Sequence, residues 1–398
     1  MTGPVISFDV SKGSSHFQAF SAPGMKLSAV LEAKHNLDEL KKVDELVKEV
    51  VAKTGKAPVM VYETTGIYSN PLQRYFSQKG YVAYALCPLE FARERKSGIR
   101  GTKTDSIDCK TIANAFYKKD EAISVSKTAK AYDSLYVLSR SYRFQLRKMT
   151  AEKNRFHRCL DNVWAGFDDV YAYDSDVMLD IVIKFGHPGK IKRIDFVLST
   201  IKDDMTSRVS KEKVAKKFLD FSKICMSGVD EDSYAVSEAI AMAKRLKESM
   251  KETKDILGQM LSVAKGLKEF ELLKTLPNVG DISALRLISE IRDISRFKTR
   301  KALVAYCGLD PAIYQSGKMT GEHMSITKKG NSFLRSTLYL CVQNMVKFSK
   351  DSRVAKYVLK KKSSGMCYKA AAIAGCNKLL RIIYGMLTNH KKYLEASK

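Results

Sequence analysis

Arg100-Gly-Thr-Lys-Thr-Asp-Ser-Ile-Asp-Cys-Lys-Thr-Ile-Ala-Asn-Ala-Phe116 is the stretch on which the fold turns. From Ser106 onward it reads as a helix with Ile107, Ile112, Ala115 and Phe116 on its apolar side. Asp105 and Asp108 stand three residues apart, so their carboxylates emerge on one face about a turn from each other. Two like charges that close repel. Either Asp105 caps the helix, with Asp108 completing a shortened capping box, or a cation sits between the two.

Composition narrows the partners. The 398 residues suffice for two or three domains with cores of their own. Lys and Arg number 69 against 43 Asp and Glu, a net charge of +26. Such an excess points to a polyanionic partner, nucleic acid before an anionic membrane surface. No apolar run approaches the roughly 18 residues of a membrane span, and the first residues lack the basic-then-apolar form of a signal peptide. The eight cysteines include no C-x-x-C pair, so neither a disulfide framework nor a zinc site is indicated. Cys87, Cys109, Cys307 and Cys341 lie among apolar residues, as small buried hydrophobes would. The expectation is an intracellular nucleic-acid binder, cytoplasmic and nucleoid-associated in a prokaryotic cell.

Residues 1–125 order as a mixed α/β sheet. Val5-Ile-Ser-Phe-Asp-Val10 has strand composition with an odd Asp9 inside it, and Ser-Lys-Gly-Ser-Ser turns it into His16–Phe20. Lys26–Leu31 reads as a third strand. A helix capped by Asn36 follows, with Glu39 at its third position and Leu37, Leu40, Val43, Val47 and Val50 inward. Pro58–Glu63 is a buried type of strand ending on a carboxylate; a helix over 70–79, a strand over 80–86 and a basic helix over 88–97 come next. Four acids, Asp9, Glu63, Asp105 and Asp108, then arrive at strand ends and a helix start, where ligands of α/β sheets gather.

This order resembles the RNase H-like fold in its RuvC-type form, whose four carboxylates hold two Mg2+ ions. The resemblance implies the same here, with Asp9, Glu63, Asp105 and Asp108 as ligands. Hard oxygens suit Mg2+, and a pair of ions can stabilise the entering and leaving oxygens of a phosphoryl transfer. Arg95, Arg100 and Lys103 nearby suit phosphate contacts.

Residues 126–270 form a helical stem. Leu135, Tyr142, Met149, Phe156 and Val163 recur every seven residues, and so do Val236, Ala243, Met250, Leu257 and Ala264. Sustained heptads predict coiled-coil packing of helices, within the chain or across a dimer. The insert at 165–233 reads as irregular, and His157 and His187 as solvated. Arg147, Lys148, Lys153, Arg155 and Arg158 make the first stem helix basic, as a helix lying along a nucleic-acid backbone would be.

Residues 271–398 read as a mainly helical domain. Leu273–Ile291 looks like a helix-hairpin-helix, with Asn278 where Gly is commoner and Gly280 beside it; such a turn offers backbone N–H groups to a phosphate. Arg296–Lys301 follows, carrying Lys298 and Arg300, then Leu303–Pro311, Tyr314–Gly321 with Ser316, Gly317 and Lys318, and Met324–Arg335 with Lys328 and Lys329. A helix is expected over 332–348, a basic helix over 353–362 and an Ala-rich one over 366–387. A lone Ser-Gly pair is an ordinary turn by composition.

Taken with the four acids, this string closely resembles the DEDD-type insertion-sequence transposases, a family that includes bridge-RNA-guided recombinases and Piv-type invertases. The resemblance covers residues 4–120 and 272–345. It implies that Ser316 is a nucleophile forming a covalent phosphoserine link to DNA, that a structured noncoding RNA selects donor and target, and that the protein works as a homodimer or tetramer. A serine attacks a phosphodiester only when its proton is drawn off and the leaving oxygen stabilised; no Ser-His-Asp arrangement is evident, and a metal pair would supply both. Two rivals stand beside this: a RuvC-like nuclease using water, and a non-enzymatic nucleic-acid-binding protein whose acids only cap and pair.

Overall fold

The computed structural model describes residues 3–63, 66–86, 91, 94, 105–118, 130–201, 210–311, 315–316, 319–320 and 325–394, with Asp105, Gln315, Ser316, Met319 and Thr320 described by backbone alone. The chain divides into two units, Met1–Thr128 and Ala129–Lys398.

In the first unit every strand is placed relative to β1 (Val5–Val10). The antiparallel β2 (Ser14–Ala22) lies on one side, with His16 opposite Asp9. The parallel β5 (Val59–Glu63) lies on the other, with Phe8 opposite Tyr62, and β6 (Ala83–Leu86) runs parallel beyond it. Two short strands, β3 (Met25–Lys26) and β4 (Leu31–Lys34), both pair with β2. The single strand expected over 26–31 is therefore broken. The Ser28 hydroxyl takes the Ala19 N–H and donates to Ala29 O, so side-chain bonding replaces the ladder there.

Alternation along β1 sends residues to two faces, and both are covered. Ile6, Phe8 and Val10 pack with Met60 and Tyr62 beneath α1 (Leu37–Thr54) and α2 (Asn70–Lys79). Asn36 caps α1 by accepting the Glu39 N–H at 2.9 Å, as expected. Val5 and Val61 face the other way, onto Ile112, Ala113 and Phe116 of α3 (Asp105–Tyr117). Ile107, expected in that apolar face, is 38% exposed; the buried side instead runs through Asp108, Cys109, Ile112, Ala113 and Phe116. Most of the basic helix expected over 88–97 lies outside the described residues, as does Cys87.

The second unit is helical. α4 (Lys130–Val163) and α8 (Tyr234–Ala264) pack antiparallel along the two heptad rows: Leu135 and Tyr142 share a core with Met260 and Ala264, while Phe156 and Val163 share one with Val236 and Ala243. Full burial of the Leu135, Phe156, Val163, Val236 and Met260 side chains contributes about 1.5–3 kcal/mol of transfer free energy each. The heptads are thus satisfied within the chain rather than by a second copy.

The insert is not irregular. α5 (Asp176–Phe185), α6 (Ile194–Leu198) and α7 (Lys211–Ile224) close a core around Trp164, whose indole N–H donates to Gly186 O at 2.8 Å. Nor is His187 solvated: it is buried, takes the Gly189 N–H at 3.0 Å, and its other ring nitrogen lies 3.1 Å from Val229 O. His157 is held between Asp161 and Asp168 and against Phe167 and Tyr173.

The C-terminal core is built from α9 (Lys268–Lys274), α10 (Asp281–Ile291), α11 (Arg300–Cys307), α12 (Ser332–Phe348), α13 (Arg353–Ser363) and α14 (Tyr368–Thr388). Among the described helices α14 alone is long and apolar enough to cross a bilayer, contrary to the expectation of no such run. Its Ala371, Ala372, Cys376, Leu379, Leu380 and Ile383 are spent on this core. The described cysteines are unpaired by disulfides, and Cys109, Cys307 and Cys341 are buried as expected; burial pushes the Cys307 thiol up to about 12 and the Cys341 thiol to about 11.

Candidate active site

Asp9 and Glu63 come to one edge by strand register. Parallel pairing sets Phe8 beside Tyr62, so the next residues, Asp9 and Glu63, follow side by side at the C-terminal ends of β1 and β5. Being odd-numbered partners of Ser7 and Val61, they share the face that α3 covers.

The course of α3 is pinned at two points. The Ser7 hydroxyl donates to Cys109 O at 2.8 Å, and the Tyr117 hydroxyl donates to Gly3 O at 2.9 Å. The helix therefore runs against β1, with its N-terminal turn, where Asp105 and Asp108 lie, toward the Asp9 end. Asp108 is 3% exposed and its Oδ1 is buried without a hydrogen-bond partner. A carboxylate in that condition is costly unless a cation joins it. Asp105 has helical backbone; its side chain lies outside the described atoms. The donor set is all carboxylate oxygen, the type a hard divalent cation takes, and in chemistry it fits Mg2+. Among the described residues no three His, Cys, Asp or Glu side chains are grouped closely enough to hold an ion.

Ser316 sits on a small hairpin in the second unit. β7 (Gln315–Ser316) pairs antiparallel with β8 (Met319–Thr320), Ser316 opposite Met319. The loop leaves the helical core through a narrow neck: Pro311 bridges Ile326, Thr327 N–H bonds Asp310 O at 2.8 Å, and Asn331 N–H bonds Tyr306 O at 2.7 Å. Two glycines make the neck possible. Gly308 ends α11 at φ 67°, and a β-carbon there would stand 3.0 Å from the Lys329 carbonyl carbon; one on Gly330 would stand 2.5 Å from Tyr306 O. Below the neck lies a buried polar network that the sequence did not suggest. Glu290, 2% exposed, accepts from Arg140 at 3.0 Å and from Asn331 at 2.6 Å, while Asn331 also caps α12 by accepting the Phe333 and Leu334 N–H groups. Glu290, set between the buried Ile288 and Ile291, was the available signal.

The expected phosphate-contacting residues are dispersed. Asn278 adopts φ 54°, the left-handed geometry anticipated for the turn between α9 and α10, and Gly280 precedes α10 with no side chain capping it. Lys153 is held by Asp174, and Arg335 donates to Cys307 O at 2.7 Å. Arg155 lines a cavity between α4 and α8. Arg300, Lys328 and Lys329 are exposed, and Lys298 has a partner of its own. Arg100, Lys103 and Lys318 lie outside the described residues.

A mixed α/β unit with carboxylates at its strand ends, followed by a helical unit, is the class that these elements define. Comparison with known proteins narrows it. Residues 6–165 match a DEDD-type transposase model of the IS110 kind, and residues 270–358 match the model described as the transposase IS116/IS110/IS902 family. The two models together take in more than half of the sequence, and the chain belongs to this family of insertion-sequence transposases. It is 32% identical to a pilin gene-inverting protein of Moraxella bovis over 122 residues, 31% of this chain and 38% of that protein. It is 26% identical to the transposase for insertion sequence element IS1111A of Coxiella burnetii, over 39% of this chain and 46% of the relative. The chain thus spans less than half the length of these relatives.

Proposed function

We propose that this protein is a DNA transposase or recombinase of a mobile element, which cuts and rejoins strands through a covalent serine link. The observation that carries it is the sheet edge to which Asp9 and Glu63 run in register, beneath the helix that holds the buried Asp108 with its Oδ1 unbonded. Asp9, Glu63, Asp105 and Asp108 would hold the divalent cation, Mg2+ in the first instance. When bound, such an ion stabilises charge on the oxygens that enter and leave phosphorus. The gene-inverting and transposing relatives support DNA as the substrate.

Ser316 supplies the nucleophile. Its Oγ loses a proton and forms a bond to phosphorus, the phosphodiester bond to one deoxyribose oxygen breaks, and that oxygen leaves as a hydroxyl. The ester energy is kept in the serine–phosphate bond, so a strand hydroxyl can attack in reverse and reseal DNA without a nucleoside triphosphate. The neck at Gly308 and Gly330 fixes where the Ser316 hairpin starts, and the turn at Asn278 presents backbone N–H groups of α10 to a phosphate, in the manner of a helix-hairpin-helix. A structured guide RNA, pairing with donor and target, is the expected partner for the remaining positive charge, and joining two duplexes calls for a dimer or tetramer.

The test is strand cutting on paired element ends, with and without Mg2+. The wild-type protein cuts only with the ion, and Asp108→Asn and Glu63→Gln, folded by circular dichroism, fall to background. Cutting in EDTA, or undiminished cutting by Asp108→Asn, contradicts the proposal.

A further inference from the structure

A cavity of about 660 Å³ lies in the second unit between α4, α10, α12 and α14. Its rim is cationic: Arg143, Arg147, Arg286, Lys328, Arg335 and Lys369 line it, and none of the described lining residues is acidic. Its floor is apolar, from Leu146, Ile326, Tyr339 and Ile373. We propose that this cavity receives one nucleotide of a nucleic-acid strand, the base against the floor and the phosphate on the arginine rim. This rests on the reading of the chain as a nucleic-acid enzyme and adds a site to it.

Several observations favour an anion with a flat apolar part. Like charges crowded into one cavity repel: burial first, then the Arg286 charge, presses the Arg143 guanidinium below its ordinary value, with Glu290 working the other way. The Arg286 Nε–H is buried without an acceptor, so this wall of the cavity holds a donor that the protein itself leaves unsatisfied. The arginines are also held in advance. Arg143 stacks on Phe333 at 3.9 Å, Arg335 is tied to Cys307 O, and Arg286 lies 5.5 Å from the Tyr142 ring centre. Rotamer freedom already lost is not lost again on binding. A bare phosphate would leave the floor unused, whereas a base drawn out of its stack finds apolar and aromatic surface there. The volume is in the range of small-ligand sites, about 300–1,000 Å³.

The test measures binding of labelled single-stranded oligonucleotides and of their duplexes by fluorescence anisotropy, in EDTA so that no chemistry intervenes. Arg147→Gln/Lys369→Gln removes two exposed cations and should weaken single-strand binding about ten-fold, with a salt slope shallower by about 1–2. Leu340→Gln, at the exposed side of the same cavity, and Tyr339→Ala should weaken single strands roughly five-fold or more while leaving duplex binding unchanged. Unchanged binding by all variants overturns the proposal. So does an equal loss for duplex and single strand, which would mark a backbone groove, and so does a free nucleoside monophosphate binding there while oligonucleotide affinity ignores the variants. Wild-type protein that binds no nucleic acid at all sinks the enzyme proposal as well, whereas wild-type binding with indifferent variants sinks the pocket alone.

Discussion

Asp108 concentrates the residue-scale questions. Its carboxylate is buried on the face of α3 that meets the sheet, and its Oδ1 has no donor. Removing the charge without changing the shape should relieve that cost when no cation is present: Asp108→Asn should unfold a few degrees higher than wild type in EDTA, about 1–3 kcal/mol more stable. Adding Mg2+ should raise the wild-type melting temperature and leave the variant unmoved, as binding to the native state alone requires. A variant that melts lower in EDTA, or that still responds to Mg2+, contradicts the metal role. Asp9 and Glu63 were legible in sequence because acids are rare in buried strands. The burial of Asp108 was not. Of the expected apolar face, Ile112, Ala115 and Phe116 are buried and only Ile107 is exposed, but an aspartate inside such a stripe looks like a solvent position until packing is seen.

At the scale of elements, the long helices and the strands other than the broken one over 26–31 followed their periods, because a period is a local property. The heptads of α4 and α8 announced helix packing, but a seven-residue row cannot say whether its partner is in the same chain; Gln145, buried and bonded to Ser249 at 3.0 Å, belongs to a seam that is intramolecular. In the insert, α7 does carry a helical period in Val214, Ala215, Phe218 and Phe221 that was missed, whereas α5 is buried on most sides and α6 has only five residues, so neither offers a clear amphipathic stripe. Asn331 shows how elements hold the serine loop. It caps α12, bonds Glu290 and closes the neck through its own N–H. Asn331→Ala should cost about 1–2 kcal/mol of cap in urea denaturation. Because the loop is loosened as well, strand cutting should fall further than the lost stability explains. Activity that tracks stability alone would remove the neck from the account.

For the whole molecule, the charge of +26 makes a claim about partners that holds at any site. Nucleic-acid affinity should fall steeply and linearly in logarithm with salt, through release of counterions from the phosphates. A flat salt response would mean that the cations serve only solubility and internal pairing. The composition pointed to such a partner, and motif spacing made the family legible. Which cations gather into one cavity was hidden, because Arg143, Arg286 and Lys369 come from three helices far apart in sequence.

The central claim is that Ser316, rather than water, attacks the DNA. It is tested by incubating the protein with end-labelled element DNA and Mg2+, denaturing, and resolving protein-linked label. A covalent adduct with the wild type that disappears in Ser316→Ala is the predicted result. An adduct that persists in Ser316→Ala, or cutting that proceeds in that variant with no adduct at all, contradicts it.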